Sequence, residues 1–449
     1  MNTPKWFVSI LMLVSVLLSA CASPKATPIA ITPPVDIATS ASQASDPNPL
    51  AIVAGTYSYK VGATIHMFLY SDGTYASPGG FGTFIVAADQ ITFVDTLPAS
   101  GTKCSSEPGI YKWSLNKDIL TLVPVSDNCE SRAKVFKGYT FQQVPKKTSE
   151  PVEFVWRITG APNDFLRSTR VAVDGQSNIY IVDGGNQRIQ KFDTNGKFLT
   201  MWGSQGDGDG QFEFRVQPSH FGAVAVDRAG NVYVTDYNSR VQKFDGNGKF
   251  LVKWGKIGSG DGQFASHSAM EIAVDTLGNV YVADTDNYRV QKFDSNGKFL
   301  LKWGSEGNGN GEFGSGNTTD GDGPAGIAVD SQCNVYILDT ANYRIEKFDA
   351  NGNFLSEWGS KGTGDGQFLN AGGIAVDQQD NVYITDNQQN VGGPVNQVSK
   401  FDSNGNFLLK WGGTGLDLGM LYYPGGVAVD KQGNLYVVSE ENVQKFRPN

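Results

Sequence analysis

An all-β fold, a six-bladed β-propeller preceded by a small antiparallel β-barrel or sandwich domain, is predicted for this 449-residue chain by three observations. First, a phrase like IAVDTLGNVYVAD (Ile272 to Asp284), followed by one like RVQKFDSNGKFLLKWG (Arg289 to Gly304), returns six times between Val171 and Phe446. Second, the aspartates closing its AVD segment stand at Asp174, Asp227, Asp275, Asp330, Asp377 and Asp430, a spacing of 47 to 55 residues, which is the length of one propeller blade. Third, the last copy holds only three strand-like segments, while a lone one, Glu153 to Gly160 (EFVWRITG), precedes the first copy.

Each repeat carries four short apolar-alternating segments, so each unit is expected to be a four-stranded sheet. Asn-Gly recurs at Asn195-Gly196, Asn247-Gly248, Asn296-Gly297, Asn351-Gly352 and Asn404-Gly405, which predicts five hairpins with type I′ turns. The AVD strand is small and apolar, as an innermost strand near a crowded axis must be. The fourth strand carries Trp202, Trp254, Trp303, Trp358 and Trp411, read as packing between blades. In the lone segment Ile158 aligns with these tryptophans, so the ring is expected to close by N-terminal strand exchange, which removes an exposed sheet edge.

At these residues the chain resembles the NHL-repeat family of six-bladed propellers, whose pattern reads AVDxxGNVYVADxxNxRVQKF followed by WGxxGxGxGQF. The resemblance covers Glu153 to Asn449. It implies the fold. For function it implies a range, because such propellers include protein-binding, RNA-binding and sensor modules and, more distantly, lyases and lactone hydrolases.

Lys5 precedes an apolar run from Trp6 to Leu18, too short to span a bilayer, and Leu18-Ser19-Ala20-Cys21 follows. These residues resemble a bacterial lipobox, so residues 1–20 are expected to be a lipoprotein signal peptide and Cys21 the lipidated first residue of the mature chain. From Ala22 to Leu50, nineteen of twenty-nine residues are Ala, Ser, Thr or Pro. Such a composition does not fold and reads as a tether. The expected location is the cell envelope, lipid-anchored on the extracytoplasmic side of a membrane, at the cell surface or in the periplasm.

Residues 51–148 lack the repeat and alternate like a small antiparallel unit of seven short strands, with an Asp72-Gly73 turn inside IHMFLYSDGTY. GIYKW (Gly109 to Trp113) and the later Cys129-Glu130-Ser131-Arg132 resemble lipocalin-like domains; no ligand is carried over. Cys104 and Cys129 are the two cysteines of this region, and in an oxidising compartment they are expected to pair, against two free thiols or a metal pair without further ligands. Cys333 is read as an incidental buried thiol.

From Pro151 to Asn449 there are 25 Lys plus Arg against 35 Asp plus Glu, which disfavours nucleic acid as a partner. The acids recur once per blade and are expected to cap turns. Arg188, Arg240, Arg289 and Arg344, each in Asn-x-Arg, read as ties between strands or blades, and glycine-rich stretches such as GDGDGQ (Gly206 to Gln211) as tight connections rather than calcium loops.

Length variation falls on one face. From the Gln-Phe or Glu-Phe aromatic to the next AVD strand the offset is 12, 8, 14 and 6 residues in successive repeats, and the fifth repeat inserts NQQNVGGPVN (Asn387 to Asn396). That loop face collects Tyr237, Tyr288, Tyr343, Phe214, Arg215, His220, His267, Glu271, Tyr422 and Tyr423, the binding-face candidates; Tyr and Arg there suit protein or glycan contact. The lyase branch of the resemblance implies a three-histidine zinc site, which His220 and His267 alone do not complete, so no metal, cofactor or catalytic residue is assigned. The expected function is a binding scaffold. The alternative is a lactonase- or lyase-like propeller enzyme acting on an extracytoplasmic small molecule or glycan.

Overall fold

The computed structural model describes residues 55–61, 63–69, 74–77, 80–87, 90–98, 108–116, 119–127, 140–143, 152–158 and 168–448, the last range without 215–221, 267–269, 316–322, 388–395, 414–420, 422 and 440–441. The expectations for the leader, Cys21 and the linker, and those for Cys104, Cys129, Arg215, His220, His267 and Tyr422, lie outside the described residues. The chain divides into two compact units between Glu150 and Pro151.

In the first unit eight antiparallel strands run from Gly55–Val61 to Thr140–Gln143. The first pairs with both the second, Ala63–Leu69, and the eighth, so the sheet closes into a barrel and leaves no edge. Eight strands stand where seven were expected, because IHMFLYSDGTY contributes to two of them, Ala63–Leu69 and Thr74–Ser77. Ile91 and Phe93, and Leu120 and Leu122, alternate inward with Phe84 and Tyr111 and are buried.

The second unit consists of six four-stranded antiparallel sheets. The first is Ser168–Val173, Ile179–Asp183, Arg188–Phe192 and Phe198–Trp202. The second to fifth begin with Val224–Val226, Met270–Val274, Pro324–Val329 and Ala371–Val376. The sixth is Val427–Val429, Leu435–Ser439 and Asn442–Pro448, completed by Val152–Ile158 from before the first sheet. The first strands neighbour one another in cyclic order, the sixth returning to the first, and apolar clusters fill every interface between sheets. This is a β-propeller, with the AVD strands innermost.

The hairpins differ from the type I′ expectation. In Asp193–Lys197 only Gly196 has a positive φ, 79°. The Gly196 N–H donates to Asp193 O at 3.0 Å, and the Asp193 N–H to Lys197 O at 2.8 Å. That is a type I turn closed by a left-handed glycine bulge, and the register shifts beside it between Lys191 and Phe192. Asp193 takes the place of the second positive-φ residue by accepting the Asn195 and Lys197 amides on Oδ1, each at 2.9 Å. The first-to-second turn is built alike: Asp227 Oδ1 accepts the Ala229 and Asn231 amides, and its Oδ2 accepts Asn231 Nδ2 and the Tyr233 hydroxyl at 3.0 Å. The repeated aspartates are therefore turn caps, as expected.

The hairpin glycines have a second reason. A Cβ on Gly248 would come within 2.5 Å of Trp202, and Gly297, Gly352 and Gly405 stand likewise against Trp254, Trp303 and Trp358. Each tryptophan thus packs beneath the hairpin of the following sheet. Ile158 does the same for Gly196, 2.7 Å from its would-be Cβ, so the N-terminal strand carries the join from the sixth sheet to the first. Lysines tie the same face: Lys191, Lys243, Lys292, Lys347 and Lys445 donate to the hairpin carbonyls of Gly246, Ser295, Ala350, Ser403 and Thr194. Lys400 has no such carbonyl, because the third strand of the sixth sheet runs straight on to Pro448 opposite Val152.

One cysteine reading is corrected. Cys333 occupies the left-handed turn position filled by Gly230, Gly278 and Gly433 in three sheets and by Ser177 and Asp380 in two, at φ 64°, is 2% exposed and is disulfide-bonded to a partner outside the described residues. It is not an incidental thiol. With four cysteines in the chain, this bond, a lipidated Cys21 and a Cys104–Cys129 pair cannot all exist in one molecule.

Candidate functional site

The meander of each sheet puts its second-to-third loop and its exit loop to the next sheet at the same end. Arginine binds these loops together. In the third sheet Arg289 Nε donates to Asp284 Oδ2 at 2.8 Å, and its Nη atoms donate to the carbonyls of Ser259 (2.6 Å), Gly260 (3.0 Å) and Gln263 (2.8 Å) in the loop leaving the second sheet. Arg344 does the same from Asp339 to Asn308, Gly309 and Glu312, and Arg240 from Asp236 to Asp207, Gly208 and Gln211. Asp284 and Asp339 are 0% exposed, so each guanidinium compensates a buried charge while clamping a glycine-rich loop that has few side chains of its own. The Asn-x-Arg motif is a tie between sheets, as the sequence reading held.

The repeat breaks at the axial end of the first strands. Two positions before the AVD segment stand Arg170, Ala223, Glu271, Gly326, Gly373 and Gly426 in successive sheets. Arg170 Nε reaches from the first sheet past the small Ala223 to Glu271 Oε1 of the third sheet, at 2.5 Å. Burial pushes the Glu271 carboxyl up, and Arg170 opposes that shift. Both side chains keep about one-sixth exposure, 16% and 14%, so a polar pair is set off the six-fold pattern at the loop end of the ring. Sequence reading missed Arg170, because this position is glycine in three repeats and differs in each of the other three. Glu271, one of the binding-face candidates, is the partner of Arg170.

The other candidates divide. Phe214 is 2% exposed and stacks on Phe212 at 4.8 Å, so it packs its loop and is corrected as a surface contact. Gln187 holds that loop by bonds to the Phe214 carbonyl and amide. Tyr288 and Tyr343 occupy the register of Gln187, directly before the clamping arginine, and all three are left-handed, at φ 51°, 57° and 55°. A bulky residue in that region is uncommon and marks a position fixed by its surroundings. Both tyrosines are half-buried, and Lys361 lies 4.8 Å over the Tyr343 ring. Tyr237 stands one residue after Asp236 instead, tied by its amide to Glu213 O at 2.9 Å. Tyr423 is half-buried and also left-handed, φ 49°.

Residues 272–293 match the family model of the NHL repeat. Protein brain tumor of Drosophila melanogaster is 30% identical over 115 residues, 26% of this chain and 10% of that protein. Peptidylglycine alpha-amidating monooxygenase of Rattus norvegicus is 32% identical over 135 residues, 28% of this chain and 13% of that protein. The chain thus spans about a tenth of the length of these curated relatives. Among solved structures, a gluconolactonase of Xanthomonas campestris shares 12% identity over 63% of this chain and 86% of its own, TM-score 0.43. Virginiamycin B lyase of Staphylococcus aureus shares 10% over 78% and 94%, TM-score 0.41. Likeness at this level carries no argument about chemistry. The chain carries the NHL repeat, and its repeats build a β-propeller.

Proposed function

We propose that this chain is a six-bladed NHL propeller, preceded by a β-barrel domain, that is lipid-anchored through Cys21 on the extracytoplasmic side of a membrane and recognises a protein or glycan through its loop face. One observation carries the recognition reading. The turn face repeats its aspartate caps in all six sheets and its lysine ties in five, whereas the loop face departs from the repeat in loop length, in the Arg170–Glu271 pair and in the tyrosines at two of its left-handed positions. A rigid ring with one individual face is the arrangement of a scaffold whose loops select a partner. The enzymatic reading has no specific observation in its favour, since Glu271 is engaged by Arg170.

The test is capture from an envelope extract by the soluble chain from Ala51 onward, compared with a Tyr288→Ala/Tyr343→Ala variant and with a turn-face Lys249→Ala/Lys298→Ala variant. Loss of the captured protein or glycan in the first, with unchanged circular dichroism and normal capture by the second, is expected. Capture that survives the tyrosine changes and fails with the lysine changes refutes the loop-face assignment.

A further inference from the structure

The fifth sheet lacks the arginine that the second, third and fourth sheets use, although it keeps the aspartate opposite. Gln397 pairs in register with Asp386, as Arg289 does with Asp284 and Arg344 with Asp339. Two residues on, Ser399 stands where Gln242 and Gln291 reach the carbonyls of Gln211 and Gln263 at 2.7 and 2.6 Å. Both replacements are shorter, and both fall under the same loop.

That loop keeps its shape. Gly362 and Gly366 have φ of 153° and 75°, against 155° and 77° for Gly307 and Gly311, and the Gly362 amide bonds Phe368 O at 3.0 Å as the Gly307 amide bonds Phe313 O at 2.9 Å. The carbonyls of Thr363, Gly364 and Gln367 therefore hold the positions from which Ser259, Gly260 and Gln263 grip Arg289. Among the described residues Asp386, 0% exposed, accepts only the amides of Asn370 at 2.7 Å and Leu369 at 3.3 Å. Gln397 Nε2 is buried without a hydrogen-bond partner among the described residues. From the rim, Lys410 Nζ touches the Thr363 carbonyl at 3.4 Å while bound to Asp365 at 2.9 Å, and it does not reach Asp386. Burial pushes the Asp386 carboxyl up to about 6.

We propose that the fifth sheet binds a guanidinium group supplied from outside, the arginine side chain of a protein partner, between the Asp386 carboxylate and the carbonyls of Thr363, Gly364 and Gln367. The same acceptor set grips the chain's own guanidinium in the second, third and fourth sheets, and the guanidinium's planar fork of N–H groups matches a carboxylate and several carbonyls better than an ammonium does. The site deepens the loop-face reading and rests on it only for the source of the arginine.

Methylguanidinium reads the site with no partner present. Thermal unfolding and titration calorimetry of the full chain are expected to show saturable binding of methylguanidinium to the wild type. Gln397→Arg, which supplies the guanidinium internally, is expected to abolish it, and Asp386→Asn to weaken it about tenfold or more through loss of a charge-assisted bond. Methylammonium is expected to act alike on all three. Equal methylguanidinium effects on wild type and Gln397→Arg, or on wild type and Asp386→Asn should the arginine variant not fold, overturn the site. A Gly-Arg-Gly peptide is expected to compete. Free arginine competing where the peptide does not overturns the protein source alone, and loss of loop-face capture with methylguanidinium binding intact fails the partner but not the site.

Discussion

Glu346→Gln is expected to make the protein more stable above neutral pH and to leave it unchanged in acid. Glu346 is the fourth sheet's counterpart of Gln242 and Gln291, fully buried at 0% exposure. Its Oε1 accepts the Gly311 amide at 2.9 Å, as Gln291 Oε1 accepts the Gly262 amide, but its Oε2 has no partner where the glutamine Nε2 donates to a loop carbonyl. Burial pushes the carboxyl up to about 7 from 4.5, opposed by the Gly311 amide and by Arg344. Because the folded-state value is raised, the folded chain holds a proton that the unfolded chain releases between those two values. Stability contributed by the neutral acid is complete below pH 4.5 and is lost as pH rises through 7. The shift corresponds to about 3 kcal/mol at 1.36 kcal/mol per pH unit. Glutamine keeps the Gly311 bond and gains the donor. Urea unfolding of both proteins by tryptophan fluorescence, from pH 4.5 to 8.5, should give curves that coincide in acid and separate by about 3 kcal/mol at the alkaline end. A separation independent of pH, or a variant less stable at pH 8.5, would show that Glu346 does not carry an uncompensated buried charge.

Two further outcomes follow from the loop ties and the cysteines. Arg289→Met should cost about 3–5 kcal/mol, because it leaves Asp284 and the Ser259, Gly260 and Gln263 carbonyls without their common donor, and Asp284→Asn in the same chain should recover part of the loss; a surface-sized effect, under about 1 kcal/mol, would contradict the clamp. Non-reducing peptide mapping of the membrane-associated protein should recover Cys333 in a disulfide and Cys21 on a lipid-modified peptide. Cys21 found in the bridge would remove the lipid anchor.

The ring was legible because its determinants are local and recur: an aspartate four residues before an asparagine, a small apolar strand, a tryptophan at the end of the fourth strand. Averaging over copies separates these from noise. The turn type was not legible. Asn-Gly at a hairpin is compatible with two turn geometries, and the choice was made by the preceding aspartate, whose carboxylate takes the Asn195 and Lys197 amides and leaves only Gly196 with a positive φ. Phe214 shows the opposite failure. An aromatic residue in a loop of variable length looks like a contact for a partner, yet it is the plug of its own loop, stacked on Phe212 and held by Gln187.

The individual features of the loop face escaped the sequence because they are substitutions within a repeat rather than additions to it. The insert from Asn387 to Asn396 was conspicuous, but it also separated Asp386 from Gln397, so that the missing arginine could not be recognised until strand register set the two residues opposite each other. A repeat protein tolerates such a loss at one sheet because each interface is stabilised largely by its own neighbours. The tolerated loss is where function can be added at least structural cost. Asp386 has no cation among the described residues, whereas Asp284 and Asp339 have theirs. A buried carboxylate kept without its partner destabilises the fold unless a bound group compensates it, and that difference between otherwise equivalent sheets separates a binding position from a structural one.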